Sequence, residues 1–362
     1  MPVLETIWWL SFITLMLYFV VVFRKREVDA PAKDALPSVA GVSIVIAIKN
    51  GADLFLENIS HIAAQDYPLF EIIVVDDHSD AAERVKLTAG IASFPNTRLV
   101  RSDRLPGKKQ ALMQGIAEAR YEYILCTDAD CRPASKKWIG VMMQHSRGGD
   151  MVLGYSPYTR ALGALNRFVR FETIMTGIQY LSWTMLGKPY MGVGRNMLYA
   201  RSLFHQTDPY ASQMHIPYGD DDLWVQKAMT HAPVLVCIDK EAFVFSNAPV
   251  SWKDFFRQKH RHLSAARHYA PGAWWKPGLF GMALIVHWAL LVFLWAGGQD
   301  LLYAGIGFAI GLFVRWRIFE RWDNQLDKNE TGMWYPLLEP VYALYLAVMG
   351  LVTLISKKKT WS

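Results

Sequence analysis

The sequence predicts an α/β domain on a mostly parallel sheet, with transmembrane helices at both ends. Three observations predict it. Short β-branched runs alternate with helical stretches between residues 42 and 128, the pattern of parallel strands joined by crossover helices. Apolar runs flank this middle at residues 7–23 and again after residue 279. Basic triplets stand beside such runs, "RKR" at 24–26, "RWR" at 315–317 and "KKK" at 357–359, where membrane proteins place charge to set orientation.

The first run, "IWWLSFITLMLYFVVVF", is near the short limit for a span. A signal peptide would carry basic residues before its apolar core and small residues after it. Here Glu5 precedes and "RKR" follows, so residues 1–26 are expected to be an anchor with its C-terminal end in the cytoplasm. The Pro/Ala-rich stretch "EVDAPAKDALPSVA" (27–40) has the composition of a linker. Strands are expected at "VSIVIAI" (42–48), "FEIIVVDD" (70–77), "TRLVRS" (97–102) and "YEYILCTD" (121–128), with helices near 52–65 and over 108–119. The globular domain is bounded at 41–250. An aromatic and basic segment, 251–278, has the character of an interfacial amphipathic helix. Residues 279–362 hold two to three apolar segments: a full span at 279–297, a short one at 301–314 closed by "RWR", and a third at 335–355 containing Glu339 and Pro340. Four spans would leave "SKKK" (356–359) outside, against the positive-inside tendency, so the third segment is either re-entrant or interfacial, or an exception to the rule.

The chain has 362 residues, 52% hydrophobic, with a formal charge of +6. No dense basic patch with interleaved aromatics is present, which argues against a nucleic-acid partner. Three cysteines without metal-ligand spacing argue against a disulfide scaffold and a zinc site, and fit a reducing compartment.

Ligands of open parallel sheets bind beyond the carboxyl ends of the strands. Asp76 and Asp77 end one predicted strand, and Asp128 and Asp130 end another. A third acidic cluster, Asp220, Asp221 and Asp222 in "YGDDDLW", opens a predicted helix. One acidic pair after a strand is ordinarily a turn or a helix cap. Three clusters in one α/β domain point instead to oxygen ligands for a hard cation such as Mg²⁺ or Mn²⁺ carrying a phosphate, which would relieve the repulsion between Asp128 and Asp130.

The ordered set "VSIVIAIKNG", "EIIVVDDHSD", "YILCTDAD", "YGDDDLW" and "RQKHRHL" resembles the membrane-bound, inverting family-2 glycosyltransferases with a GT-A nucleotide-binding fold. The resemblance spans roughly residues 40–270. It implies that Asp77 reads the uracil of a UDP-sugar while Asp76 holds the same turn. It places the Asp-x-Asp pair on Asp128 and Asp130, with Asp130 the direct metal ligand, and a basic position near the nucleotide on Lys108. The general base falls on Asp221, with Asp220 and Asp222 as competitors. Gln258 and Arg261 match the residues contacting diphosphate and acceptor, but His262 stands where the processive branch has tryptophan, which favours transfer of one or a few sugars. "YMGVGRNMLYAR" is similar to a Gly-x-Gly-x-Asn segment beside the acceptor pocket, on Gly192, Gly194 and Asn196. The implied partners are a nucleotide sugar, a lipid-linked or glycan acceptor, and the cytoplasmic membrane, with the catalytic domain on its cytoplasmic side.

Two rivals are distinguishable from the sequence. Nucleotidyl transfer would want a Gly-rich basic phosphate loop after the first strand, where this chain has "KNGADLF". A catalytically inactive glycosyltransferase-like subunit of a polysaccharide export complex would be free to lose Asp130 or Asp221, and both are present.

Overall fold

The computed structural model describes residues 2–26, 40–211, 213–216, 218–297, 302–328 and 330–355. The described residues divide into two compact units: 2–26, 161–186 and 249–355 form one, and 40–160 and 187–248 the other. The expected linker lies almost wholly outside the described residues, as do "GQD" and "SKKK".

The chain enters through α1 (Pro2–Leu17), prolonged by a π-helical turn over Tyr18–Val22. The α/β unit follows. Its first strand, β1 (Val42–Ile48), is buried almost throughout, as a β-branched run with helices on both faces must be. In order come α2 (Ala52–Ala63), β2 (Phe70–Asp76), α3 (Ala81–Ile91), β3 (Thr97–Arg101), α4 (Lys108–Ala117) and β4 (Tyr123–Cys126). Strands β3, β2, β1 and β4 lie side by side and parallel, so the segments after β1, β2 and β4 leave one end of the sheet. Helix α4 lies close on β1 and β2, because a Cβ on Gly115 would come within 2.5 Å of Val45.

Beyond β4 the chain forms β5 (Cys131–Pro133), α5 (Trp138–His145) and β6 (Met151–Gly154). It leaves for α6 (Ala164–Met185) and returns as β7 (Met197–Ala200), α7 (Arg201–Thr207), α8 (Asp222–Ala228), β8 (Val234–Cys237) and β9 (Val244–Ser246). The sheet order is β3-β2-β1-β4-β7-β6-β8; β7 runs antiparallel to both neighbours, and β5 pairs with β9 in a separate ribbon. A mostly parallel sheet is thus what the alternation predicted.

The helical unit contains α1, α6, α9 (Trp252–Ala265), α10 (Pro271–Ala296), α11 (Leu302–Leu326) and α12 (Tyr335–Ile355). Among the described residues, four helical stretches are long and apolar enough to cross a membrane: Val3–Val22, Pro271–Ala296, Leu302–Leu326 and Gly332–Ile355. Two sequence expectations about the spans need correction here. The span expected at 279–297 begins eight residues earlier, running as one helix through Pro277. The segment expected to close at "RWR" continues to Leu326, because Arg315 is buried and bonded to Glu339 of α12 at 2.8 and 3.0 Å. That contact also accounts for Glu339 within an apolar run, and α12 continues past Pro340 as a single helix.

The continuous domain expected over 41–250 is interrupted by α6, which packs within the helical unit. Phe171 meets Phe319, Tyr335 and Tyr342, and Phe168 meets Phe255 and Tyr345. Two of the charges on α6 are paired, Glu172 with Lys259 and Arg170 with Asp327 and with Glu330 at 2.8 Å, and the third, Arg167, stacks on the Trp334 ring.

Candidate active site

The segments leaving β1 and β2 are stitched together by polar groups. Ser79 donates from its backbone to Asp76 at 2.9 Å, and Arg84 Nε donates to the other oxygen of Asp76 at 2.8 Å. Asp76 is fully buried. Although burial opposes ionisation, the Ser79 and Arg84 bonds outweigh it and hold the carboxyl below its ordinary value. Asp76 therefore fixes this turn. The next residue, Asp77, accepts the backbone N–H of Gly107 on both oxygens at 3.0 Å, which anchors the start of α4 beside the end of β2.

That anchor sets the position of Lys108, the first residue of α4. Its ammonium lies 2.9 Å from Asp128 and 3.5 Å from Asp220, linking the acidic turn after β4 to the cluster before α8. Burial alone would lower the Lys108 pKa, but Asp128, Asp220 and Asp221 together hold it well above its usual value. The adjacent Lys109 points the other way and donates to the carbonyls of Gln213 and Ile216 at 3.0 and 2.9 Å. One helix start thus ties down Asp77, Asp128, Asp220 and the segment preceding them.

Asp128 and Asp130 occupy the turn between β4 and β5, closed by the Cys131 N–H donating to the Asp128 carbonyl at 3.1 Å. Ligand atoms of Asp128, Asp130 and Cys131 all lie within 4.8 Å of one another. Asp130 keeps solvent contact, yet partial desolvation and the Asp128 charge raise its pKa. Burial pushes the Cys131 thiol well up as well, and a hard cation prefers the oxygens of the two carboxylates to sulfur. Asp128 and Asp130 fit a divalent metal by donor chemistry.

Asp221 caps α8. It accepts the Asp222 N–H on one oxygen at 2.9 Å and the Gly194 N–H on the other at 2.8 Å. Burial and the neighbouring Asp220 push its pKa up to about 6, against the lowering pull of Lys108 and the two amides. Asp222 is buried inside the first turn. A Cβ on Gly194 would stand 3.3 Å from Asp221 Oδ2, so the backbone there lies close against that carboxylate. Gly192 likewise faces Val225 and Leu153, which would stand 3.0 and 3.1 Å from a Cβ at that position.

The structure brings Asp76, Asp77, Lys108, Asp128, Asp130, Asp220, Asp221 and Gly194 into the α/β unit's end segments. Asn196 lies apart from them. It is fully buried, accepts from Trp138 Nε1 at 3.0 Å and donates to the carbonyls of Tyr155 and Ala242 at 3.0 and 2.9 Å. Removing it orphans buried groups, so Asn196→Ala is expected to cost about 3 kcal/mol in chemical denaturation while nucleotide affinity changes little. Gln258 and Arg261 lie on α9, in the helical unit.

Sequence reasoning did not single out Arg195. Its Nη2 donates to the Ser156 carbonyl at 2.9 Å and its guanidinium sits 4.8 Å from the centre of the Tyr158 ring. The charge of Arg195 partly opposes the upward shifts of Asp130 and Cys131. A cation between the second glycine and the asparagine of "GVGRN" was the available signal.

Residues 43–206 match the family model Glycosyl transferase family 2, and the chain carries a glycosyltransferase domain of that family. Poly-beta-1,6-N-acetyl-D-glucosamine synthase of Staphylococcus epidermidis (strain RP62A) is 26% identical over 129 residues, covering 36% of this chain and 31% of that protein. The protein of the same name from Staphylococcus aureus (strain MSSA476) is 32% identical over 90 residues, 25% of this chain and 22% of that one. The match spans less than a third of these relatives' length. Among solved structures, mannosyltransferase PcManGT from Pyrobaculum calidifontis, in complex with GDP-Man and Mn²⁺, is similar with a TM-score of 0.64 and 19% identity. The similarity covers 98% of this chain and 100% of that chain, and the shared fold is the GT-A fold.

Proposed function

We propose that the chain is a membrane-anchored inverting glycosyltransferase that moves a sugar from a UDP-sugar to a lipid-linked or glycan acceptor, with its catalytic unit in the cytoplasm. The observation that carries this reading is the Lys108 bridge, which joins the Asp-x-Asp turn to the Asp220–Asp221 cluster in one constellation. Asp77, against the start of α4, is assigned to the uracil, with Asp76 holding its turn. Asp128 and Asp130 would hold Mg²⁺ or Mn²⁺, which when bound supplies positive charge for the departing diphosphate. Lys108 adds a fixed cation beside the same groups. On the motif alone, Gln258 and Arg261 are assigned to diphosphate or acceptor.

Asp221 is assigned as general base. Two backbone donors fix its orientation, and a pKa near 6 leaves it ionised at neutral pH while still basic enough to accept a proton. It takes the proton of the acceptor hydroxyl as that oxygen bonds to the anomeric carbon. The bond from that carbon to the diphosphate breaks on the opposite face, and its electron pair leaves with the nucleotide. One displacement inverts the centre, so no second carboxylate nucleophile is required. Asp220, paired with Lys108, has the positioning role.

The test is nucleoside diphosphate release by the purified protein with Mn²⁺, a polyprenyl phosphate or short glycan acceptor, and UDP-GlcNAc, UDP-glucose or GDP-mannose as donor. Acceptor-dependent release from a UDP-sugar, with an inverted linkage, is expected. Release from GDP-mannose alone would overturn the uridine assignment, and nucleotide binding without release from any donor would leave a binding subunit.

A further inference from the structure

Within the helical unit, aromatic rings of α1 fill the space that two glycines leave open on α11. A Cβ on Gly307 would lie 2.8 Å from Trp9, and one on Gly311 2.3 Å from Phe12. These glycines are four residues apart and form a seam on α11 that admits the Trp9 and Phe12 rings. Toward the C-terminal ends of both helices the seam opens into a cavity of about 310 Å³, lined by Val20, Arg24, Lys25, Ile318 and Arg321.

Two features make this more than a basic fringe. Arg26 folds back to donate to the carbonyls of Val21 and Val22 at 2.7 and 2.9 Å, which holds the segment carrying Arg24 and Lys25 against the helix end. Lys25 reaches α11 by donating to Gln325 at 3.1 Å. Neither the Arg24 nor the Arg321 guanidinium has a hydrogen-bond or ion-pair partner among the described residues. Nearby carboxylates are engaged elsewhere: Glu320 with Arg317, and Asp323 with the N–H groups of Thr331 and Gly332. The apolar side of the cavity continues along exposed Ile13, Leu17 and Val20 on α1 and Ile306, Ile310 and Phe313 on α11.

We propose that this cavity is a binding site for an anionic phospholipid, whose phosphate is held by Arg24, Lys25 and Arg321 and whose acyl chain lies along the α1–α11 faces. Arginine suits the site because its planar fork matches phosphate oxygens. Its place at the ends of two spans puts the cations where a headgroup stands and the apolar walls where a chain stands. This site is separate from the sugar-transfer constellation and does not depend on that reading.

The experiment is native mass spectrometry of the full chain in a mild detergent, titrated with phosphatidylglycerol or with phosphatidylcholine of the same acyl composition. One phosphatidylglycerol should be retained in preference to phosphatidylcholine. R321Q should weaken retention about tenfold, the effect of one charge-assisted hydrogen bond, and R24Q/R321Q should abolish it. R317Q removes the same charge from the same helix at a residue already paired with Glu320, and should change retention little. Thermal midpoints of all variants report whether they fold; these exposed arginines should not alter them. Equal retention of the two lipids, or equal loss in R317Q and R321Q, would overturn the proposal. Capture of inorganic phosphate without retained lipid would assign the cavity to a free anion and overturn it too.

Discussion

Asp221→Asn should lower kcat by about 10²–10⁴-fold, the range for losing a positioned base, while UDP affinity stays within a few-fold. The substitution preserves volume but places an NH₂ group against one of two backbone donors, Gly194 or Asp222. A modest loss of stability is therefore expected and must be separated from the loss of chemistry. The pH profile of the unmodified protein separates them. A base with a pKa of about 6 is active only when ionised, so kcat should climb from pH 5 to pH 7 and level off above. At pH 5 it should be roughly a tenth of its plateau. The neighbour gives a second control: Asp220→Asn removes a main cause of the Asp221 shift after burial and should move the limb to lower pH, leaving a substantial plateau rate. A single-turnover assay with saturating donor reads all three quantities. An Asp221→Asn variant that retains turnover would remove this residue as base.

Glu339→Ala should destabilise the helical unit by about 3–5 kcal/mol, the cost of stranding one member of a buried ion pair. Glu339 accepts Arg315 in a two-pronged contact and also the Tyr335 hydroxyl at 2.5 Å, and both Arg315 and Glu339 are at most 1% exposed. Arg315→Ala should cost a similar amount. The double change Arg315→Met with Glu339→Leu removes both charges and fills the space with apolar atoms, so it should recover most of the loss. Thermal unfolding in detergent, followed by helical circular dichroism, measures the cycle. Additive losses in the double variant would mean that the pair is not a coupled unit.

The alternation of strands and helices was legible because β-branched runs such as "VSIVIAI" are too short for helices and too apolar for solvent-facing strands. The strand ends were legible for the same reason, and with them the positions of Asp77 and Asp128. Helix α6 was not: Arg170 and Glu172 sit among its apolar residues, and their burial depends on Asp327, Glu330 and Lys259, all far away in sequence. Arg315 misled in the same way. A charge in an apolar run marks a helix end only when no partner reaches it, and Glu339 does. Within the site, residue types were easier to identify than their duties. Nothing in "GVGRN" distinguishes a glycine that admits substrate from one whose N–H orients Asp221, nor an asparagine that meets a ligand from one that ties Trp138 to the Tyr155 and Ala242 carbonyls. Those distinctions are made by contacts between segments tens of residues apart.

The measurement closest to the central claim is calorimetric titration of UDP into the purified protein, with Mn²⁺ and then with EDTA, repeated on Asp130→Ala. The account predicts micromolar binding with Mn²⁺, weakened at least about tenfold by EDTA and weakened similarly by the substitution. Binding of equal strength with and without metal, or an Asp130→Ala variant indistinguishable from the parent protein, would contradict it.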